Sequence, residues 1–95
     1  MLRLTIRSQT PGEAVLQVDG WLSGKDVSIL EEEGLRLLGE VNRLVLDLKG
    51  VQFIDRAGIE LLRSWWGDQL ELRDGPPFVR ALLEKHGLGF YESDH

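Results

Sequence analysis

The sequence predicts a small single-domain α/β fold in which helices pack against a mixed β-sheet of four to five strands. Three observations predict it: an apolar–polar alternation over residues 2–7, a nearly all-apolar segment at 44–48, and helical apolar patterns on either side of that segment. The resulting order is β-β-α-β-α-β-α with an optional final strand. Strand–helix–strand units require parallel strands, so the sheet is expected to combine parallel and antiparallel pairs. Residues 1–95 are expected to form one domain.

The first two strands are expected to form an antiparallel hairpin. Residues 2–7 alternate with a period of two, which is typical of a half-buried strand at a sheet edge. Residues 10–13 read Thr-Pro-Gly-Glu, a turn cluster, and the second strand lies within residues 14–22. A short turn between two such strands favours a hairpin.

The first helix and the central strand follow. Ser23 and Asp26 have the spacing of a capping box, which predicts the start of the first helix, and Gly39 predicts its end. The strand at 44–48 is apolar almost throughout, as expected for a central parallel strand that is covered on both faces.

The second half of the chain alternates helices and strands. The second helix is predicted from about Ala57 to Trp66, with Gly67 after it, and a strand is predicted at 70–72. Prolines in the segment 74–77 predict the start of a third helix that Gly87 ends. A last short strand is predicted at 89–92.

Composition and charge exclude several classes of function. The net charge is −5 and no basic stripe is present, which argues against a nucleic-acid partner. No apolar run approaches the ~18 residues that a membrane span needs, so no direct membrane insertion is expected. The chain has no cysteine, and its two histidines are isolated, so neither a metal site nor a cofactor is predicted. No catalytic motif is present; we expect a cytoplasmic protein that is not an enzyme.

Three segments together resemble the STAS domain, the module shared by sulfate transporters and anti-sigma factor antagonists. They are Gly20-Trp21-Leu22 before a helix start, LVLDLKGVQFIDRAGIELL at 44–62, and LRDGPPFVRALLEKHGL at 72–88. They occur in the order of the family and cover nearly the whole chain. The resemblance implies a protein-interaction module whose partner surface includes the strand-to-helix turn at 55–58.

The chain departs from the family at this turn and after it. Switchable members carry a phosphorylatable serine or threonine directly before the glycine, whereas Ala57 stands here, with Arg56 before it. Alanine cannot accept a phosphate, and Arg56 holds a permanent positive charge. We therefore expect a turn that is not switched by phosphorylation, or that receives an acidic group from elsewhere. The second helix also looks short, which either exposes part of the sheet or leaves a groove for Trp65 and Trp66.

Asp55 is expected to be the N-cap of the second helix, with its carboxylate accepting free backbone N–H groups. Family members also present this acidic residue to a partner, and both roles are compatible. Gly58 lies in the first helical turn, where a close approach by a neighbouring strand or by a partner would explain it. Because the first turn of a helix presents unpaired N–H groups, an anion site is a further interpretation.

The tryptophans supply the remaining candidates for partner-binding residues. Trp66 lies in line with Ile59 and Leu62 and is predicted to be in the core. Trp65 lies in line with Leu61 and either forms an exposed apolar patch or covers the sheet. Trp21, at the end of a strand, is a second candidate for the partner surface. The predicted partner-binding residues are Trp21, Asp55, Arg56, Ala57, Gly58, Leu61 and Trp65.

Three functions remain open on the sequence. The first is an anti-sigma factor antagonist-like module that binds a kinase-type anti-sigma factor or a larger signalling assembly. The second is a subunit of a phospholipid-type ABC transport complex, because stand-alone STAS proteins similar to this one accompany such complexes. The third is a sensor of a nucleotide or lipid at the helix end. A homodimer is also left open.

Overall fold

The computed structural model describes residues 1–67 and 69–90, and it confirms the predicted α/β fold and the order of its elements. The strands are β1 (Leu2–Gln9), β2 (Glu13–Leu22), β3 (Arg43–Ile54) and β4 (Leu70–Arg73), and the helices are α1 (Asp26–Leu38), α2 (Arg56–Trp65) and α3 (Pro77–Lys85). The predicted last strand at 89–92 lies partly outside the described residues, and its first two residues are not in a strand.

The four strands form a mixed sheet in the order β1-β2-β3-β4. β1 pairs with β2 in antiparallel fashion, as the hairpin prediction requires. β2 with β3 and β3 with β4 are parallel, so the carboxyl ends of these strands lie at one edge of the sheet. β3 continues to Ile54, six residues beyond the predicted strand at 44–48, and runs directly into the turn before α2.

The helices cover one face of the sheet. Buried side chains of all three helices join Leu44, Leu46 and Leu48 of β3 in a single core cluster. The prediction that the central strand is covered on both faces is therefore wrong. Successive residues of a strand point to opposite sides, and a continuous apolar run hides which side a helix covers.

The other face of the sheet is largely polar; we call it the open face. Val45 points to this side and is fully buried, yet it lies outside the core cluster. Its neighbours across the sheet are Val15 and Glu71. Glu71 accepts from Arg43 at 3.1 Å and from Arg73 at 2.6 Å. A local ion-pair network, rather than a helix, thus lies beside this apolar side chain.

The helix ends lie close to the predicted residues, except for the N-cap of α1 and the last residue of α2. α1 ends before Gly39, α3 begins at Pro77, and Gly87 ends α3 with a φ of 89°. The capping box of Ser23 and Asp26 is wrong: Lys25 is the N-cap of α1 and no side chain caps it. A backbone turn takes its place, because the Asp26 N–H donates to the Ser23 carbonyl at 3.1 Å.

The two adjacent tryptophans differ in burial, and the buried one is not the one that the helical pattern suggested. Trp65 is 6% exposed and Trp66 is 44% exposed, so the prediction that Trp66 lies in the core is wrong. α2 ends at Trp65, and Trp66 has extended backbone angles, so the helical spacing that linked it to Ile59 does not apply. The indole of Trp65 packs so closely against α1 at Gly34 that a Cβ added there would overlap the ring. Of the alternatives left open for Trp65, the exposed patch is not observed, because its side chain is buried in the core cluster against α1.

Candidate partner-binding site

Asp55 connects two loops at the carboxyl edge of the sheet. It is the N-cap of α2, as predicted, and its Oδ1 accepts the Gly58 N–H at 2.9 Å. Its Oδ2 accepts the Gly24 N–H, also at 2.9 Å. The second hydrogen bond is not visible in the sequence, because the two residues are 31 positions apart. One carboxylate thus fixes the loop between β2 and α1 to the start of α2.

These hydrogen bonds determine the electrostatics of the turn. The Gly24 N–H and then the Gly58 N–H lower the pKa of Asp55, because they stabilise its ionised form. The Ala57 N–H contributes in the same direction. The first amides of α2 therefore already face an anionic group of their own chain, which weighs against the interpretation that they hold an external anion.

Gly58 is buried beneath this turn. A Cβ at Gly58 would lie 2.9 Å from the Leu22 carbonyl oxygen and 2.9 Å from Cγ1 of Ile54. Contacts this short are not tolerated by ordinary side chains, so glycine allows α2 to start directly against the ends of β2 and β3. Of the two explanations in the sequence, the close approach of a neighbouring strand is the one that the structure favours.

Arg56 and Ala57 are the exposed residues of the turn. Arg56 forms no ion pair within residues 1–67 and 69–90. The same is true of Lys25, which is exposed in the loop that Asp55 holds. Two cations thus stand at this edge without a carboxylate partner from the described part of the chain.

Trp21 lies near the turn with a second aromatic residue. It is 52% exposed and sits opposite Phe53, which is 45% exposed, with ring centroids 5.7 Å apart and planes tilted by 54°. The Trp21 Nε1 donates to Oε1 of Gln52 at 3.3 Å. Phe53 was missed because the predicted strand stopped at residue 48; a strand continued to the turn would have placed it beside Trp21. We call Trp21, Phe53, Arg56 and Ala57 the docking edge.

Leu61 and Trp65 do not belong to the docking edge. They are 7% and 6% exposed, and both lie in the core cluster. Residues four apart on a helix share one face, and here that face packs inward. Of the seven predicted residues, the structure brings Trp21 and Asp55–Gly58 together at one edge and leaves these two side chains inside.

The comparisons with known proteins agree with this architecture. A family model described as "Mlab, STAS domain" matches residues 6–89. The chain belongs to the STAS family. Its fold is also similar to that of a solved structure, "Structure of the Anti-Sigma Factor Antagonist SpoIIAA in its Unphosphorylated Form", with a TM-score of 0.72 and 20% sequence identity. That match covers 94% of this STAS domain and 83% of the other chain. Among curated proteins, no match is found.

Two further observations concern the described part of this STAS domain. Within residues 1–67 and 69–90, no group of three or more histidine, aspartate or glutamate side chains is arranged to hold a metal ion. In the same residues, no helix combines the length and the apolar character that crossing a membrane requires.

Proposed function

We propose that this STAS domain is a non-catalytic protein-interaction module, resembling an anti-sigma factor antagonist, that binds a regulatory protein in the cytoplasm through its docking edge. The observation that supports this most is the pair of exposed aromatic rings, Trp21 and Phe53, beside the exposed turn residues Arg56 and Ala57. The turn lies at the edge where the family presents its partner surface.

The chemistry of the docking edge suits a protein partner. Tryptophan and arginine are enriched among the residues that dominate binding energy at protein interfaces. Trp21 and Phe53 already contact each other in a tilted arrangement without a partner, which reduces the conformational entropy lost on binding. Arg56 and Lys25 can each donate hydrogen bonds to a carboxylate of the partner, because neither forms an ion pair within the described chain.

Ala57 makes the interaction constitutive in this proposal. A phosphorylated residue at this position would add about −1.5 to −2 charges next to Arg56. Alanine offers no hydroxyl for that modification, so the docking edge keeps the same charge at all times. Control of binding would then come from the partner or from its abundance.

A second candidate is the STAS subunit of a phospholipid-type ABC transport complex. The family model described as "Mlab, STAS domain" and the unswitchable Ala57 favour it, since a permanent subunit needs no on–off residue at its interface. A sensor of a nucleotide or lipid has less support, because the carboxylate of Asp55 already occupies the Gly58 amide of α2.

Affinity capture tests the interaction module. Wild-type bait and a Trp21→Ser/Phe53→Ser bait are compared with a Trp66→Ser bait, in which a tryptophan of similar exposure is removed elsewhere on the surface. Each protein captured by the wild type is purified, and its affinity for all baits is measured by isothermal titration calorimetry. We expect the double variant to weaken binding at least about tenfold, since loss of one hot-spot side chain alone typically costs about 2 kcal/mol.

The identity of the captured protein distinguishes the candidates. An anti-sigma factor or a kinase-like ATPase supports the first function, whereas an ABC ATPase or permease supports the second. A partner whose affinity is unchanged by the double variant and lost with Trp66→Ser would show that another surface binds it. An Arg56→Glu bait adds a charge test, because it should weaken binding to a partner that offers a carboxylate.

A further inference from the structure

The outer edge of β1 presents backbone groups that no strand of the described residues pairs. β1 is at the end of the sheet, and within residues 1–67 and 69–90 it pairs with β2 alone. At one end of the antiparallel ladder, the Trp21 N–H donates to the Met1 carbonyl at 3.1 Å. At the other end, the Thr10 N–H donates to the Glu13 carbonyl at 2.8 Å and the Glu13 N–H donates to the Thr10 carbonyl at 3.3 Å. Counted from Met1, alternation directs the N–H and C=O groups of Leu2, Leu4 and Ile6 away from β2. A register shift between Ile6 and Ser8 interrupts this alternation, so the count from the Thr10–Glu13 pair applies only from Ser8 onward.

Apolar side chains lie beside this edge on the core side of the sheet. Leu4 is only partly buried where it packs against the core, and Ile6 is 40% exposed. A groove between β1 and α1 is lined by Leu4 and by Ile29, which is 50% exposed. On α1 the groove is also lined by Glu32, Glu33 and Arg36, and Arg36 forms an ion pair with Glu33 at 2.6 Å. The groove is thus apolar along β1 and carries charges of both signs along α1.

The opposite side of β1 is positively charged. β1 contains Arg3 and Arg7 and no acidic residue, in a chain of net charge −5. Arg7 donates to the neutral side chain of Gln17, and Arg3 forms no ion pair within residues 1–67 and 69–90. Arg3 lies opposite Asp19 on the open face. The edge therefore has an apolar side and a basic side.

This charge pattern disfavours a second copy of the chain as the occupant. Pairing two β1 strands would bring four arginines together, and neither strand contains an acidic residue of its own. In the antiparallel register centred on Thr5, the Arg3 of each copy would lie opposite the Arg7 of the other. Like charges directly opposite each other destabilise a strand pair.

We propose that the edge of β1 binds an extended segment of a partner protein in which apolar and acidic residues alternate. The segment adds a fifth strand to the sheet through the outward groups of Leu2, Leu4 and Ile6. Its apolar side chains lie in the groove beside Leu4 and Ile29, and its carboxylates lie on the open face beside Arg3 and Arg7. This surface is separate from the docking edge and does not depend on the function proposed for it.

Fluorescence anisotropy with labelled peptides tests the proposal on the full chain. One peptide alternates valine with glutamate, a second alternates valine with lysine, and a third has the composition of the first in scrambled order. The acidic peptide should bind at least about tenfold more tightly than the basic one, because two cross-strand charge pairs change sign. The Arg3→Glu/Arg7→Glu variant should reverse this preference.

A proline substitution tests whether the backbone pairs. Ile6→Pro removes an outward N–H without removing a bond to β2, and Ile6→Ala is the matched control that keeps the N–H. Ile6→Pro should abolish peptide binding and Ile6→Ala should retain it, with circular dichroism verifying that both are folded. Binding of no peptide, equal binding of all three, or binding that survives Ile6→Pro would overturn the proposal. So would a wild-type dimer that Ile6→Pro dissociates in analytical ultracentrifugation.

Discussion

Replacing Asp55 with alanine should destabilise the fold more than any other single substitution of a polar side chain in the turn. The substitution removes two hydrogen bonds of 2.9 Å, one to Gly58 and one to Gly24. The first caps α2, and the second fixes the loop before α1. Both backbone N–H groups must then hydrogen-bond to water, and the two loops at the carboxyl edge are no longer joined by a hydrogen bond.

The expected magnitude follows from these two contacts. Loss of an N-cap typically costs about 1 kcal/mol. Loss of the partly solvated bond to Gly24 adds about 0.5–1.5 kcal/mol. The sum of about 2 kcal/mol corresponds to a fall in Tm of about 8–16 °C for a domain of this size.

The assay is thermal and urea denaturation of Asp55→Ala and Ser23→Ala, followed by circular dichroism. Ser23 is the matched control: the sequence predicts it as a cap, but the structure gives it no side-chain cap bond to α1. Ser23→Ala should change the free energy of unfolding by less than about 0.5 kcal/mol. A Tm of Asp55→Ala within about 2 °C of wild type, or an equal loss in Ser23→Ala, would refute the reasoning.

Wild type and Asp55→Ala also provide a test of the pH dependence of stability. The pKa of Asp55 is lowered in the folded state by the Gly24 and Gly58 N–H groups, so its ionised form stabilises the fold. The stability difference between wild type and Asp55→Ala should be complete above the unfolded-state pKa of about 3.9. It should shrink as the pH falls through the lower, folded-state pKa. A difference that grew on acidification would contradict this sign.

Three further changes test the packing and the turn. Gly34→Ala should destabilise the fold by about 1–3 kcal/mol, because its Cβ would meet the Trp65 ring, whereas Gly39→Ala, with its nearest contact at 3.4 Å, should be close to neutral in urea denaturation. Trp65→Ala should cost about 3–5 kcal/mol and Trp66→Ala less than about 1 kcal/mol, measured the same way; equal costs would contradict their assigned burial. Ala57→Asp should raise stability by about 0.3–1 kcal/mol through the helix dipole while weakening partner capture, and unchanged capture would count against the docking edge.

Much of the architecture could be predicted because local patterns specify it. The alternation over residues 2–7, the glycine after α1 and the prolines before α3 each fix a local conformation that the fold retains. Asp55 was recognisable as an N-cap for the same reason, since the cap and the amide that donates to it are three residues apart. The family motifs then matched this order of elements and indicated the turn at 55–58 as part of a partner surface.

The errors arose where a result depends on residues that are distant in sequence. Helical spacing assigned Trp66 to the core, but α2 ends one residue earlier and Trp65 fills the space over Gly34. The apolar run of β3 could not reveal that the three described helices all pack on one face of the sheet. Phe53 belongs to the site because β3 extends to Ile54, and no local signal in the sequence marks that strand end.

By itself, then, the sequence determined the elements, their order and the lack of a hydroxyl at Ala57, because each is set by nearby residues or by identity. The tertiary structure alone decided which tryptophans face solvent, that Asp55 joins α2 to Gly24, and that β1 lies at the edge of the sheet in the described part of the chain. The physical reason is that burial and hydrogen bonding between segments depend on how the helices pack on the sheet. The periodicity of apolar residues within one segment does not specify that packing.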